Sequence, residues 1–328
     1  LAVVWVPALL GGVLPDLPAY VILVLTVLPV VAAALTVWTF VLWTVLPDHP
    51  AAGWLFAASV LAPLAQWGPG WPDRGADPAP TDLHVMTWNV RRLWGGPNEG
   101  RTPLACVVEG IKAHQPDVLV LQEVTAADVA ALSAELPLRC AHATYSAANA
   151  PDDAGLAVCE GGGWWPMVAS EPVAFAPDTD WRYLRATFAR GDDRLIVLGV
   201  HLHPYRILHD PSNLLNKAAD RAPIVAAAQD AQIDALLAQW LSLADPTIIA
   251  GDFNSTRDTP FHARLRRWMT DAWERGATGF TGTVEILDLL PLRIDYIYAS
   301  PRLPVVDAQV PTLGCSDHEP VIARLTAP

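Results

Sequence analysis

Apolar and polar positions divide the chain into two unlike parts. The first reads as apolar blocks at 1–14, 19–46 and 51–67, broken at Pro15-Asp-Leu-Pro18 and Pro47-Asp-His-Pro50. Residues 1–73 hold no Lys or Arg and only three acids, Asp16, Asp48 and Asp73. The middle block has 28 residues, about 42 Å as a helix, against about 30 Å of hydrocarbon in a bilayer. The last block is at the lower limit for a span. The first is short and opens on Leu1 rather than an initiator Met, which suggests that the true N-terminus precedes it. Repetition of the blocks argues against a cleaved signal peptide, and buried core helices are the alternative. The pattern predicts about three membrane-spanning helices over 1–67. A Pro/Gly-rich linker, 68–81, follows.

Beyond the linker the pattern becomes that of a mixed α/β domain, 82–328. Short apolar runs at 83–90, 117–123, 140–145, 155–160, 166–175, 182–189, 194–201, 246–250, 293–298 and 320–325 predict strands. Helices are predicted over 103–114, 126–136 and 261–268. A longer one is predicted over about 216–243, where Ile224, Ile233, Leu236, Leu237, Trp240 and Leu241 form an apolar face. Two sheets packed face to face, with helices outside, satisfy this order.

Several of these strands end in a residue with chemistry. Leu83–Asn89 ends in Asn89, Asp117–Glu123 in Glu123 and Arg194–His201 in His201. Gly251-Asp252-Phe253-Asn254 follows the apolar run 246–250, and its glycine lets the backbone turn sharply. Asp295 sits inside Arg293-Ile-Asp-Tyr-Ile-Tyr298, and Ser316-Asp317-His318 lies near the C-terminus. Singly, each has an ordinary reading: Asn89 and the Asp252/Asn254 pair as turn residues, Glu123 as a solvated strand end.

Taken in order, these segments resemble the endonuclease/exonuclease/phosphatase superfamily, the fold of DNase I, AP endonucleases and neutral sphingomyelinases, over roughly 82–328. The segment from Thr270 to Thr283 adds a resemblance to bacterial three-span, membrane-anchored members of the teicoplanin-resistance (VanJ-like) type. The superfamily resemblance implies a four-layer α/β/β/α sandwich with its site at one rim, here preceded by an N-terminal helical membrane domain. It also implies a divalent metal, Mg²⁺ or Mn²⁺, whose hard-oxygen ligands would be Glu123, Asn89 and Asp317. His318, oriented by Asp295, would be the general acid or base. Asp252 would orient the attacking water, while Asn254 and His201 would hydrogen-bond the phosphoryl group.

Charge bears on the substrate. All 21 basic residues lie after residue 73, against 31 of the 34 acids, a balance of −10, and only Lys112 and Lys217 are lysines. Proteins that grip duplex DNA through many phosphates show a basic face, so nucleic acid is the less favoured partner. Arg91 and Arg92 are open to a phosphate-binding role or an ordinary surface role. His203 reads as a bystander. Trp88, Trp94, Trp164 and Trp165 are open to substrate contact, with packing the commoner use of tryptophan. Cys106, Cys140, Cys159 and Cys315 show no C-x-x-C spacing, which argues against zinc. Cys140 and Cys159 are near enough in sequence to bridge outside the cytoplasm, and four buried thiols fit equally well. A thiol nucleophile at Cys315 is rejected.

Together these readings predict a membrane-anchored, metal-dependent phosphatase or phosphodiesterase acting on a membrane-lipid phosphate, with a polyprenyl pyrophosphate foremost. Its expected place is the bacterial plasma membrane, multi-pass, with an extracytoplasmic catalytic domain. The alternatives are a tethered endo- or exonuclease acting on DNA or RNA, and a catalytically silent binding module.

Overall fold

Successive side chains of a strand point to opposite faces, and that alternation builds this molecule. The computed structural model describes residues 35–46, 50–67, 79, 81–94, 102–146, 148, 153–162, 164–177, 179–204, 214–277, 282–286 and 290–328. Along the chain the strands are β1 (Leu83–Asn89), β2 (Val118–Val124), β3 (Arg139–Thr144), β4 (Gly155–Glu160), β5 (Met167–Ala174), β6 (Arg182–Arg190) and β7 (Asp193–His201). They continue with β8 (Thr247–Asp252), β9 (Thr270–Asp271), β10 (Val284–Ile286), β11 (Leu290–Leu292), β12 (Asp295–Ala299), β13 (Val305–Gln309) and β14 (Val321–Leu325). They form two six-stranded sheets, ordered β13-β14-β1-β2-β4-β3 and β5-β6-β7-β8-β12-β9, and a two-stranded ribbon, β10-β11.

The sheets pack through one face each. Leu83, Val85, Val118, Val120 and Val158 from the first meet Leu195, Val197, Ile248, Ala250 and Ile297 from the second. Gly199 belongs to this layer, where a Cβ would come within 2.9 Å of Val158 Cγ2 and 3.0 Å of Val120 Cγ1. Alternate residues face outward. Met86, Trp88, Leu119 and Leu121 pack with helix residues Val107, Ile111, Val129 and Leu132. Ile196, Leu198 and Ile249 pack with Ile233, Leu236, Phe261 and Leu265 on the other side. The result is a mixed α/β sandwich.

Local sequence starts the covering helices. Ahead of Pro103–His114, Thr102 accepts a hydrogen bond from the Ala105 amide and Pro103 fills the first turn. Ahead of Ala126–Glu135, Thr125 and Asp128 form a reciprocal capping box. The long helix Leu214–Leu241 carries Pro223 within it. The strands β9, β10, β11 and β13 are absent from the expectation. They are short or edge-placed, and carry too few alternating residues to be read from pattern alone.

The expected N-terminal membrane domain is corrected. Among the described residues no helix is long and apolar enough to cross a membrane. Helix Pro50–Trp67 has 18 residues, and its Gly53, Gln66 and two prolines dilute the apolar run. Residues 35–45 and this helix form a hairpin, with Thr39 Oγ1 and Ser59 Oγ 2.8 Å apart and the Trp43 and Phe56 rings stacked at 5.4 Å. The multi-pass placement in a plasma membrane and the three-span, teicoplanin-resistance type therefore lose their footing. The first block, 19–34 of the middle block, and nearly all of the linker lie outside the described residues.

All four cysteines are bridged. Cys140 and Cys159 are direct partners across β3 and β4. Cys106, on helix Pro103–His114, joins Cys315, just before Ser316-Asp317-His318.

Arg293 and Asp271 make a buried ion pair, with two hydrogen bonds of 3.0 and 2.8 Å and Arg293 4.3 Å from the Tyr296 ring centroid. Asp271 also caps helix Ala272–Gly276. Removing one partner strands the other charge, at a cost of about 3–5 kcal/mol. Arg293→Met is expected to lower unfolding stability by that amount in denaturant titration, and replacing both partners by apolar residues is expected to recover part of the loss.

Candidate active site

The inner-face alternation delivers polar residues to one rim. Leu83, Val85, Thr87 and Asn89 share a face of β1; Ile248, Ala250 and Asp252 share one on β8; and Asp295, Ile297 and Ala299 share one on β12. On β7 the same face carries Leu195, Val197, Gly199 and His201. Register then fixes the neighbours. Asp252 stands opposite His201 in the parallel β7–β8 pair and opposite Asp295 in the antiparallel β8–β12 pair. Three functional groups are thus cross-strand neighbours, with Cβ atoms expected about 5 Å apart.

Glu123 reaches the rim differently. Val118, Val120 and Gln122 face inward, so plain alternation would send Glu123 to the helix side. The register shifts between Gln122 and Val124, and Glu123 adopts φ 55°. This bulge re-aims the carboxylate to accept from Asn89 Nδ2 at 3.1 Å. Asn89 Nδ2 also donates to Asp252 Oδ2 at 3.1 Å, which ties the two sheets together. Arg91, Arg92, Leu93 and Asn254 also have positive φ. Such conformations cost about 1–3 kcal/mol each and persist where function holds them. At Gly251 a Cβ would lie 1.9 Å from Val200 O, so no other residue fits.

Asp252, Asp295 and His318 form a compact buried cluster whose ligand atoms lie within 4.8 Å of one another. His318 Nδ1 is 2.9 Å from Asp295 Oδ2, and Nε2 is 3.9 Å from Asp252 Oδ2. Burial opposes the imidazolium, but the negative charges of Asp295 and Asp252 outweigh it and His318 is pushed up to about 10. Burial, then the charge of Asp295, pushes Asp252 up to about 7, against the pull of His318, the Asn254 amide and Asn89. The His318 loop is itself held: Trp88 Nε1 donates to His318 O at 2.9 Å, and Glu319 accepts from the Leu313 and Gly314 amides.

The remaining expected residues divide. His201 Nε2 is 3.5 Å from Asp252 Oδ2. Asn254 donates its backbone amide to Asp252 Oδ1 at 2.7 Å and its side-chain amide to Leu202 O at 3.0 Å. Asp317 stands apart, about half exposed and 3.3 Å from Arg91. Asn89 acts as a clasp between Glu123 and Asp252, and its own oxygen accepts from the Arg91 amide.

Asp295 Oδ1 is buried without a hydrogen-bond partner. An orphaned carboxylate oxygen beside a second buried carboxylate suits a hard divalent cation, which prefers oxygen ligands. The residues present fit such an ion.

Two groups escaped sequence reasoning. Tyr145 OH accepts from the Glu123 amide at 2.7 Å and lies 2.6 Å from His201 Nδ1. Burial, then the Glu123 charge, raises its pKa well above the ordinary value, so it serves as a neutral donor to Nδ1. That leaves the His201 proton on Nε2, toward Asp252. Tyr145 lies in an unremarkable run after β3, and no local signal marks it. His262 supports the turn after Asp252, between Ser255 Oγ at 3.0 Å and Tyr298 OH at 2.7 Å.

A family model described as the Endonuclease/Exonuclease/phosphatase family matches residues 86–318. No curated protein matches the chain. Among solved structures, the endonuclease/exonuclease/phosphatase from Bacteroides vulgatus is similar at TM-score 0.61 and 19% identity, over 76% of this chain and 100% of that one. A humanized D. rerio TDP2 is similar at TM-score 0.56 and 17% identity, over 75% and 100%. The human Nocturnin catalytic domain with bound sulfate anion is similar at TM-score 0.56 and 17% identity, over 79% and 100%. At these identities the likeness shows the fold.

Tyr145→Phe is expected to leave the fold intact and lower hydrolytic activity about 10- to 100-fold, the usual cost of losing a group that orients a ligand. Steady-state kinetics beside a thermal melt checks this. His262 makes stability depend on pH. Burial, then the nearby arginines, keep its pKa well below the ordinary value, whereas the unfolded chain protonates it near about 6.5. Below that pH the unfolded chain binds the extra proton, so the stabilisation is complete above about 6.5 and is lost on acidification by up to about 1.4 kcal/mol per pH unit. Denaturant titrations from neutral to mildly acidic pH are expected to show a shallower fall for His262→Gln than for the native protein.

Proposed function

The chain belongs to the endonuclease/exonuclease/phosphatase family, and from that premise we propose that it cleaves phosphodiester bonds of nucleic acid strands, with Mg²⁺ or Mn²⁺ as its metal. It is a metal-dependent hydrolase acting on phosphate ester or phosphoanhydride bonds. The observation that carries the reading is the buried Asp252–Asp295–His318 cluster, clasped to Glu123 through Asn89. The membrane-lipid phosphate expected from the apolar N-terminal blocks is set aside, because that substrate rested on spans that no described helix can make. The nuclease alternative needs no anchor. The sulfate of the human Nocturnin catalytic domain, a tetrahedral oxyanion like phosphate, is consistent with a fold that receives such a group.

Each residue has work to do. Glu123 and the Asp252/Asp295 carboxylates would hold the metal. When bound, the ion supplies positive charge to the anionic phosphate and lowers the pKa of water. Asp252, with Oδ1 held by the Asn254 amide and Oδ2 by Asn89, would orient the attacking water and accept its proton. His318, kept protonated by Asp295 and Asp252, presents positive charge and a proton where the leaving oxygen would develop charge. His201, with Nδ1 held by Tyr145, offers an Nε2 proton to a non-bridging oxygen. Asp295 fixes the His318 ring.

The purified protein is expected to cleave a single-stranded oligonucleotide in Mg²⁺ or Mn²⁺ and to stop in chelator. Asp252→Asn is expected to lower kcat by about 10²- to 10⁴-fold, the scale of a lost general base, with the thermal transition retained. No cleavage of DNA or RNA oligonucleotides with either metal would overturn the reading.

A further inference from the structure

We infer that Trp94 and Arg92 form a stacking subsite for an unpaired nucleobase at the mouth of the catalytic centre. The inference rests on the nuclease reading and narrows it to single strands. Its starting point is a contrast between tryptophans. Trp88, inside β1, is fully buried, whereas Trp94, six residues on, is 69% exposed. The Arg92 guanidinium lies 4.8 Å from the Trp94 ring centroid, so the indole is backed by a cation while most of its surface stays open to solvent. Arg92 Nε is itself buried and without a hydrogen-bond partner among the described residues, so the guanidinium is held under the ring rather than swung out into solvent. An indole backed by a guanidinium on one side and open to solvent on the other is a surface on which an unpaired base can stack.

The turn that carries the pair is built rather than loose. Arg91, Arg92 and Leu93 all have positive φ, at 45°, 52° and 53°, a costly run for side-chain-bearing residues. The turn is anchored to the catalytic groups on both sides. The Arg91 amide donates to Asn89 Oδ1 at 3.1 Å, and the Arg91 guanidinium meets Asp317 at 3.3 Å, next to His318. Leu93 and Trp94 close it with hydrogen bonds to Val90 and Arg91 carbonyls. Trp94 is five residues from Asn89, so even an extended chain would keep the two within about 18 Å, and this turn is tighter.

The partner's state follows from the chemistry. A base within a duplex has both faces covered and cannot stack on a protein ring. Single strands and frayed ends offer a free face, and aromatic stacking accepts any base. The acidic balance of the chain, −13 overall, works against the many-phosphate grip that duplex binding requires. It weighs little on a short strand held by one stacked base and a metal-bound phosphate.

The test compares two backbones: a single-stranded oligothymidylate, and an abasic oligomer with the same deoxyribose phosphates and no bases, both with Mg²⁺ or Mn²⁺. Trp94→Ala is expected to raise KM on oligothymidylate about tenfold, in line with loss of one stacked base, with kcat little changed and abasic cleavage unaffected. Trp94→Phe is expected to keep near-native KM, and Trp94→Leu to behave like Ala. The Phe-against-Leu contrast carries the test if the Ala variant loses its thermal transition. Equal effects of Trp94→Ala on both oligomers, or none on either, overturn the subsite and leave the nuclease reading standing. A native enzyme that cuts neither oligomer overturns both.

Discussion

Two carboxylates that cannot comfortably share a buried space organise this molecule. Asp252 and Asp295 face each other across β8 and β12, both almost fully buried. Two like charges so placed demand compensation. Part comes from His318, which burial alone would keep neutral and which these carboxylates hold protonated. Part comes from dipoles: Asn89 from the other sheet, the Asn254 amide and His201 Nε2. The remainder shows in Asp252 itself, raised to about 7, and in the unpartnered Asp295 Oδ1. A dication would answer both at once. The site is an electrostatic deficit that the fold maintains and a metal can fill.

Maintaining it explains features that look incidental. Gly251 admits no side chain because Val200 O would be struck, and the tight approach of β7 and β8 there is what sets His201 beside Asp252. The Cys106–Cys315 bridge ties the segment leading to His318 onto the helix that covers the first sheet, and Trp88 holds the His318 carbonyl from beneath. The Arg293–Asp271 pair lies two residues from Asp295 and fixes the entry to β12.

Much of this was legible in the residues, and the reasons are specific. Inner-face strand residues follow a period of two, so Asn89, His201, Asp252 and Asp295 could be picked out as strand-end groups by counting back along apolar runs. Three things resisted. Glu123 was legible as a strand-end residue, but the bulge that turns its carboxylate to the rim was not, because a bulge leaves no mark on an apolar pattern. Tyr145 acts through space, 22 residues from Glu123 and 56 from His201. Asp317 sits next to His318 in sequence and matched a ligand's place, yet it turns to Arg91. The last apolar block, 51–67, misled for another reason: a run that includes Gly, Gln and Pro can fold as one helix and still be too little apolar to span a membrane, and Thr39 and Ser59 pair within a helical hairpin.

The contrast between Asn89 and Glu123 carries a more general point about how such a rim is made. Asn89 arrives by regular alternation and costs the backbone nothing. Glu123 arrives by a left-handed residue and a register shift, and Arg91 to Leu93 and Asn254 pay a similar conformational penalty around it. The regular positions carry the groups that must be aligned with one another across strands, where register supplies accuracy. The irregular ones carry groups that leave the regular sheet: the Glu123 carboxylate at its bulge and the Arg91–Leu93 turn. Apart from Gln115, which ends helix Pro103–His114 as its left-handed cap, the non-glycine residues with positive φ among the described residues sit on the segments that carry the rim, Arg91–Leu93, Glu123 and Asn254, so backbone strain falls where regular register gives way to the site.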